Sequence, residues 1–391
     1  MTRILITGAT GFIGGRLAEV ACQLGIPTVA LVRTWARAAL LSRLPLTMVP
    51  GDILELDTLR RAVRGCDVVF HCAVDFRRIG MAHRRSSVLG TRNVLQAAAE
   101  ARVKRVVFLS SIAVYGRTPP PRIVTEDEPV RHTGDNYGDG KLDAERLALR
   151  TFLDRGIPVA VLRPTIVYGP FGGYWTPATV GAIKNGSMVL VNGGSGVCNC
   201  LYVDNLVQAM LLAAQHPGAP GEVFHVSDES PVPWKEFVEG HARALGDGFL
   251  PLPEMTVEEI EAARARLRQR RPSSIKQTLT VLKDPRIRMA LRSIPAVAQV
   301  EAFGKAIVRN VLPVRAQHFL RETVIGWTRS VPGSASGVTD RPLLPRGMVQ
   351  VHASRTVFSV EKARRVLGYA PRVDFHEGME RTAAWIRWAR L

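Results

Sequence analysis

The chain has 391 residues, 46% hydrophobic and 22% charged, with 52 Lys and Arg against 34 Asp and Glu. These proportions describe a globular protein with room for a main core and a smaller lobe, and they exclude a disordered or fibrous chain. No uninterrupted apolar run reaches the ~18 residues of a membrane span, and five cysteines without a C-x-x-C pair exclude a disulfide framework. Cys22, Cys66, Cys72, Cys198 and Cys200 therefore read as free thiols of a reducing compartment. The first strand begins almost at the N-terminus, so no signal peptide is expected and a cytoplasmic setting is.

That strand, Ile4-Leu5-Ile6, runs directly into Thr7-Gly8-Ala9-Thr10-Gly11-Phe12-Ile13-Gly14. Apolar residues then recur at helical spacing through Leu17, Val20 and Leu24, so the stretch reads strand, tight glycine turn, helix. Gly8 can take the backbone angles of the turn, Gly11 lets a diphosphate approach the main chain, and Gly14 lets helix and strand pack closely. The helix N-terminus adds free N–H groups and a positive dipole end. The spacing is Gly-x-x-Gly-x-x-Gly rather than Gly-x-Gly-x-x-Gly, yet it sits between strand and helix as a dinucleotide-binding turn must.

Pro27 to Val32 reads as the second strand, ending at Arg33, and Leu46 to Val49 leads into Pro50-Gly51-Asp52-Ile53. A helix is expected from Glu55 to Arg64, a buried strand from Asp67 to Ala73, and an alanine-rich helix from Val88 to Ala101. Next come a strand from Arg105 to Ser111, a helix from Tyr137 to Leu153, and a strand from Pro158 to Pro164. Such alternation, with strands apolar throughout, implies an α/β fold with a doubly wound parallel sheet of Rossmann type. Ligands of such sheets bind at the carboxyl ends of the strands, where Gly8, Arg33, Ala73, Ser111 and Arg163 fall.

Beyond Pro164 the rhythm changes to short strands (Met188 to Val191, Cys198 to Val203, Glu222 to Val226) and helices from Asp204 and Trp234. Near the C-terminus, Ser359-Val360-Glu361-Lys362 starts a helix and Leu367-Gly368-Tyr369-Ala370-Pro371 stops it. The expected division is a dinucleotide-binding domain over 1–165, a smaller substrate lobe over 166–250 and 350–391, and an insertion over 251–349. Asp204 is expected to cap a helix, His71 to be a core histidine, and Trp234, Trp385 and Trp388 to be packing residues.

Tyr137 and Lys141 are four residues apart, so both side chains leave the same face of their helix. A free tyrosine, with a pKa of ~10, is a poor acid–base catalyst at neutral pH. A nearby ammonium is expected to lower that pKa. Ser111, at the end of the neighbouring strand, is placed to hydrogen-bond a substrate oxygen.

Together these motifs resemble an extended short-chain dehydrogenase/reductase of the NAD-dependent epimerase/dehydratase type, with a flavour of its 3β-hydroxysteroid dehydrogenase-like members. The resemblance covers roughly residues 1–245 and 355–391 and rests on Thr7 to Gly14, Gly51-Asp52, His71-Cys72-Ala73, Gly90-Thr91, Ser110 to Gly116, and Tyr137 with Lys141. Leu162 to Pro170, Tyr202-Val203-Asp204-Asn205 and the Leu367-Gly368-Tyr369 tail also match it. It implies that Ser111, Tyr137 and Lys141 are catalytic, with Lys141 also holding the ribose. The cofactor is expected on Gly8, Thr10, Gly11, Phe12, Ile13, Gly14, Arg33, Asp52, Ile53, Ala73, Tyr137, Lys141, Arg163 and Pro164. Asp52 resembles the residue that contacts the adenine amino group, and Arg163 is expected to organise the nicotinamide side. No metal is implied. A homodimer through the helices at Val88–Ala101 and Tyr137–Leu153 is. One departure stands out: Ser87 replaces the family's asparagine in Ser87-Val88-Leu89-Gly90-Thr91.

Arg33 bears on cofactor choice, because NAD enzymes of this fold tend to carry an acid at that strand end. Its guanidinium suits a 2′-phosphate, which favours NADP over NAD; the alternative is a solvated surface arginine. The stretch Ser195 to Leu201 lacks the arginine that nucleotide-sugar enzymes of the family often place there. The expected substrate is therefore a bulky, partly apolar secondary alcohol or ketone. A nucleotide-sugar epimerase, dehydratase or ketoreductase, and a non-catalytic cofactor-binding scaffold, are the alternatives.

The excess charge is concentrated. Residues 262–321 carry fourteen Lys or Arg against Asp284 and Glu301, a net +12 of the chain's +18. Apolar residues interleave at helical spacing through Ile287, Leu291, Ile294, Val297, Val300, Phe303, Ile307 and Val311. Three readings follow: a helical cap with a solvated basic face, an element peripheral to an anionic membrane surface, or a site for an acidic substrate group or protein. No nucleic-acid motif accompanies the charge, so nucleic acid is not an expected partner.

Overall fold

The computed structural model describes residues 2–74, 80–116, 122–269 and 343–391. Two compact units divide the chain, Met1–Val257 with Pro342–Leu391, and Glu258–Arg341.

In the first unit the chain begins β1 (Ile4–Thr7), α1 (Phe12–Gln23), β2 (Thr28–Val32), β3 (Thr47–Pro50), α2 (Leu56–Ala62) and β4 (Val68–His71). It continues α3 (Gly80–Glu100), β5 (Arg105–Leu109), β6 (Ile123–Val124), α4 (Asn136–Arg155) and β7 (Val159–Pro164). Seven strands form one sheet in the order β12-β7-β5-β4-β1-β2-β3, with β12 spanning Val223–Val226. Every pairing in it is parallel. Order reverses between β1 and β4, where Thr7 stands opposite His71. The inner strands are buried along their whole length, as helices on both faces require, whereas edge strand β3 is partly exposed.

The lobe on the carboxyl side of the sheet uses β8 (Ile166–Tyr168), α5 (Trp175–Lys184), β9 (Leu190–Val191), β10 (Val197–Cys198), β11 (Cys200–Tyr202), α6 (Val203–Gln215) and α7 (Trp234–Leu245). The strand expected over Cys198 to Val203 is broken at Asn199, whose side chain instead holds Thr356 O and Phe358 N. Cys198 and Cys200 flank it with Sγ atoms 3.3 Å apart in the core. The second unit is described only as far as helix α8 (Val257–Gln269). Residues 270–321, which carry most of the basic insertion, lie outside the described residues.

The C-terminal segment returns as α9 (Arg346–Ala353), α10 (Glu361–Leu367) and α11 (Phe375–Ala389). Ser359 Oγ accepts the Glu361 N–H at 3.3 Å, and Gly368 ends α10 at φ +68°. Helix α11 has its own cap, Asp374 accepting the Glu377 N–H at 2.9 Å, a signal the sequence reading passed over. Among the described residues no helix is long and apolar enough to cross a membrane.

Candidate active site

The glycine loop is shaped by close approach. Gly8 sits at φ +74° against Ala73, and a Cβ on Gly14 would lie 2.4 Å from Gly8 O. Helix α1 therefore packs against the turn as only glycine allows. Its N-terminus follows Gly11, which provides no side-chain cap, and its first turn carries no acid. An uncapped helix end beside a glycine cradle, at the point where strand order reverses, fits a dinucleotide diphosphate.

At the end of β5 two serines part ways. Ser110 is buried and its Oγ donates to Glu145 at 2.5 Å. Ser111 caps the next short turn, its Oγ accepting the Ala113 N–H at 3.1 Å and hydrogen-bonding the Tyr137 side chain. Helix α4 delivers Tyr137 there because Gly138 follows it; a Cβ on Gly138 would meet Ala113 O at 2.4 Å. Asp135 caps the helix by accepting the Gly138 N–H. One turn on, Lys141 is 6% exposed and donates from Nζ to Leu109 O at 2.7 Å. Ser111, Tyr137 and Lys141 are thus brought to one place.

Their electrostatics differ from the expectation. Burial pushes the Tyr137 phenol up from 10.0, and the Ser111 hydrogen bond only partly opposes it. The Lys141 ammonium is itself disfavoured by burial, lowered to about 8, with its Nζ turned to the main chain of β5. Burial thus acts against the phenolate of Tyr137, and the Ser111 hydrogen bond acts for it.

Around this centre, His71 is buried between Thr7 (Nδ1 to Oγ1, 2.9 Å) and Thr91 (Nε2 to Oγ1, 3.1 Å), and burial drops its pKa to about 3. It is a neutral core histidine. Ser87 Oγ donates to His83 O at 3.1 Å, and the His83 ring lies 6.0 Å from that of Tyr137, centroid to centroid. At the adenosine end, Arg33 and Asp52 approach to 3.6 Å, so the two residues assigned there are neighbours. Ile53 is buried, and its carbonyl accepts from Asn93 Nδ2 at 3.0 Å.

Three placements correct the sequence reading. The Arg163 guanidinium, expected to organise the nicotinamide side, is 3% exposed and bound to both Glu145 carboxylate oxygens and to Tyr115 Oη. Asp204 caps nothing: Tyr202 precedes α6, and Asp204 in the first turn ties down Arg16 at 2.5 and 3.0 Å. Trp388 is 76% exposed, while Trp234 is fully buried and stacks on His352 at 3.8 Å.

The sequence reading missed Glu145, though its position four after Lys141 on the same helix face was a signal. It also gave no role to Tyr115, which links Arg163 to His225 Nε2 at 2.8 Å. Among the described residues no group of three potential metal ligands gathers.

Comparison with known proteins agrees with this geometry. Residues 4–227 match the NAD dependent epimerase/dehydratase family. A ketoreductase of Stigmatella aurantiaca, acting on 4-hydroxy-2-methyl-3-oxo-4-farnesyl-3,4-dihydroquinoline-1-oxide by its name, is 32% identical over 239 residues, covering 60% of this chain and 71% of its own. UDP-glucose 4-epimerase of Vibrio cholerae is 29% identical over 268 residues, 64% of this chain and 78% of its own. Among solved structures, DesIV, a dTDP-glucose 4,6-dehydratase of Streptomyces venezuelae with NAD bound, superposes with a TM-score of 0.65 at 20% identity, covering 100% of this chain and 98% of that one. With the family model matched over more than half of its length, the chain belongs to the NAD dependent epimerase/dehydratase family and is an NAD-dependent enzyme.

Proposed function

We propose that the protein is a ketoreductase: it interconverts a ketone and a secondary alcohol on a bulky, partly apolar substrate. When bound, the nicotinamide supplies or accepts the hydride at its C4. Tyr137 Oη delivers the proton to the carbonyl oxygen, Ser111 Oγ hydrogen-bonds that oxygen, and Lys141 holds the ribose. The single observation that carries this reading is geometric: Ser111, at the end of β5, hydrogen-bonds the Tyr137 side chain, and Lys141 follows one turn later on the same helix with its Nζ on Leu109 O. Two further facts support it. Residues 195–201 contain no arginine, and Cys198 and Cys200 within them are buried. The Stigmatella aurantiaca relative is named for reducing a farnesylated ketone.

Arg33 at the end of β2 supports a preference for NADP(H), because a guanidinium at that strand end suits a 2′-phosphate. The second reading, a nucleotide-sugar epimerase that recycles its cofactor, is favoured by the Vibrio cholerae relative. One experiment separates the two. Purified protein is incubated with NADPH and a panel of prenylated or polycyclic ketones, and separately with UDP-glucose. Stoichiometric loss of NADPH absorbance with a ketone supports the reductase; isomerisation of UDP-glucose without net cofactor change overturns it.

A further inference from the structure

An exposed aromatic cluster stands beside the cleft and takes no part in the chemistry above. Phe171 follows Gly169-Pro170 after β8 and sits at φ +62°, a left-handed conformation that a bulky side chain rarely adopts. It presents its ring to solvent, 46% exposed, rather than to the core. That ring packs at 5.5 Å on Trp385 and 6.4 Å on Trp388, both on α11, and Trp388 is 76% exposed. Tyr174, three residues on in the same loop, is 60% exposed. Backbone held in an uncommon conformation to display an aromatic ring points to a contact made outside the fold.

The C-terminal end of the helix that bears Trp385 and Trp388 is basic. From Arg381 to the C-terminus the chain carries Arg381, Arg387 and Arg390 and no acid, and all three arginines are exposed. Glu380 directly precedes Arg381, and Arg381 is itself paired with Glu377 and with Asp204, so Arg387 and Arg390 are the cations this end offers outward. Aromatic rings with arginines beside them are the composition of surfaces that settle into the interface of an anionic bilayer. The chain's overall +18 adds a long-range attraction of the same sign.

We infer that Phe171, Tyr174 and Trp388, with Arg387 and Arg390, form a docking rim that seats the enzyme on an anionic lipid surface. Position matters as much as composition. A methyl group on Gly173 would lie 3.6 Å from Phe12 Cβ in the cofactor loop, so the loop bearing Phe171 borders the mouth of the cleft. A bilayer held there lies where an apolar substrate would enter. This consequence rests on the ketoreductase reading, but the docking itself does not.

The test uses the full chain, without substrate, and vesicles of phosphatidylcholine alone or mixed equally with phosphatidylglycerol. Sedimentation with the anionic vesicles is expected, weakening as salt rises. Trp388→Ala and Phe171→Ala should each weaken it roughly tenfold through the apolar area left in water, and Arg387→Glu with Arg390→Glu should abolish it. Phosphatidylcholine brominated in its acyl chains, in the mixed vesicles, should quench tryptophan fluorescence of the parent, and quenching should fall in Trp388→Phe. A thermal melt and an NADPH titration check that each variant is folded. Four results would overturn the inference: no binding to anionic vesicles, equal binding to neutral ones, unchanged binding by folded Trp388→Ala and Phe171→Ala, or a solution mass that halves on Trp388→Ala. The last would mean that a second copy of the chain covers the rim. Because no substrate is present, failure here leaves the ketoreductase reading standing, and failure of that reading leaves the docking result intact.

Discussion

Ser110 and Glu145 are joined by a 2.5 Å hydrogen bond in the core, while the very next residue, Ser111, faces Tyr137. Adjacent serines at a strand end thus have separate duties, and the separation is measurable. Ser111→Ala removes a hydroxyl from the reacting centre and should lower kcat, with little change in stability. Ser110→Ala removes a buried donor to a carboxylate and should cost about 1–3 kcal/mol of stability, with kcat nearly unchanged in the folded fraction. Steady-state kinetics and urea unfolding on the two variants give the comparison. Equal kinetic losses would mean that the serines act as one unit.

The Glu145 carboxylate also takes the Arg163 guanidinium, with both side chains almost wholly buried. Breaking such a pair leaves one charge uncompensated, at a cost of about 3–5 kcal/mol. Arg163→Met should therefore destabilise strongly. Adding Glu145→Leu should recover much of the loss, because two apolar side chains need no partner. Urea midpoints for the two singles and the double complete the cycle. A double variant as unstable as the sum of the singles would show that the pair is not what sets the cost.

Much of this was legible in the residues. The glycine turn, the alternation of buried strands with helices, and the Tyr137–Lys141 spacing are local patterns, and the sheet reproduces them with boundaries shifted by a few residues. Helix α3 begins at Gly80, eight residues before the Val88 that the pattern suggests, because Met81 to Ser87 carry no apolar period that would reveal it, yet His83 and Ser86 are buried. Such packing is tertiary and leaves no periodic trace. The same reason hid the partners of Arg163 and Asp204. An arginine at a strand end and an aspartate at a helix start look alike whether they meet ligand, cap or ion pair, since their partners stand 18 and 188 residues away in sequence. The fall in the Tyr137 pKa was expected from spacing alone, but burial, which spacing does not encode, set its direction.

Arg33 gives the cofactor prediction. Arg33→Asp would exchange a cation for an anion beside Asp52, whose carboxylate now lies 3.6 Å from the guanidinium. Affinity for NADP(H) should fall by about 1.5–3 kcal/mol, the worth of a charge-assisted hydrogen bond, while affinity for NAD(H) changes much less. Fluorescence titration of both reduced cofactors against parent and variant reads this directly. A parent that binds NADH as tightly as NADPH would remove the preference before any variant is made.

Lys141 gives a prediction in pH. Its ammonium is buried, and its pKa in the folded protein is about 8 against 10.5 for the free side chain. Between those values the unfolded chain holds a proton that the folded chain has released, so the unfolded state binds more protons and stability from this group rises with pH. Below about pH 8 both states are protonated and the full cost of burying the charge is felt, about 3–4 kcal/mol at ~1.4 kcal/mol per unit. The urea midpoint should accordingly contain a component that climbs from pH 8 toward 10.5. Lys141→Met removes the titrating group and should flatten that component while raising stability at pH 7. The same variant should lose turnover if Lys141 holds the ribose as proposed. A Lys141→Met protein whose stability follows pH as the parent's does would show that Lys141 is not the group released in this window.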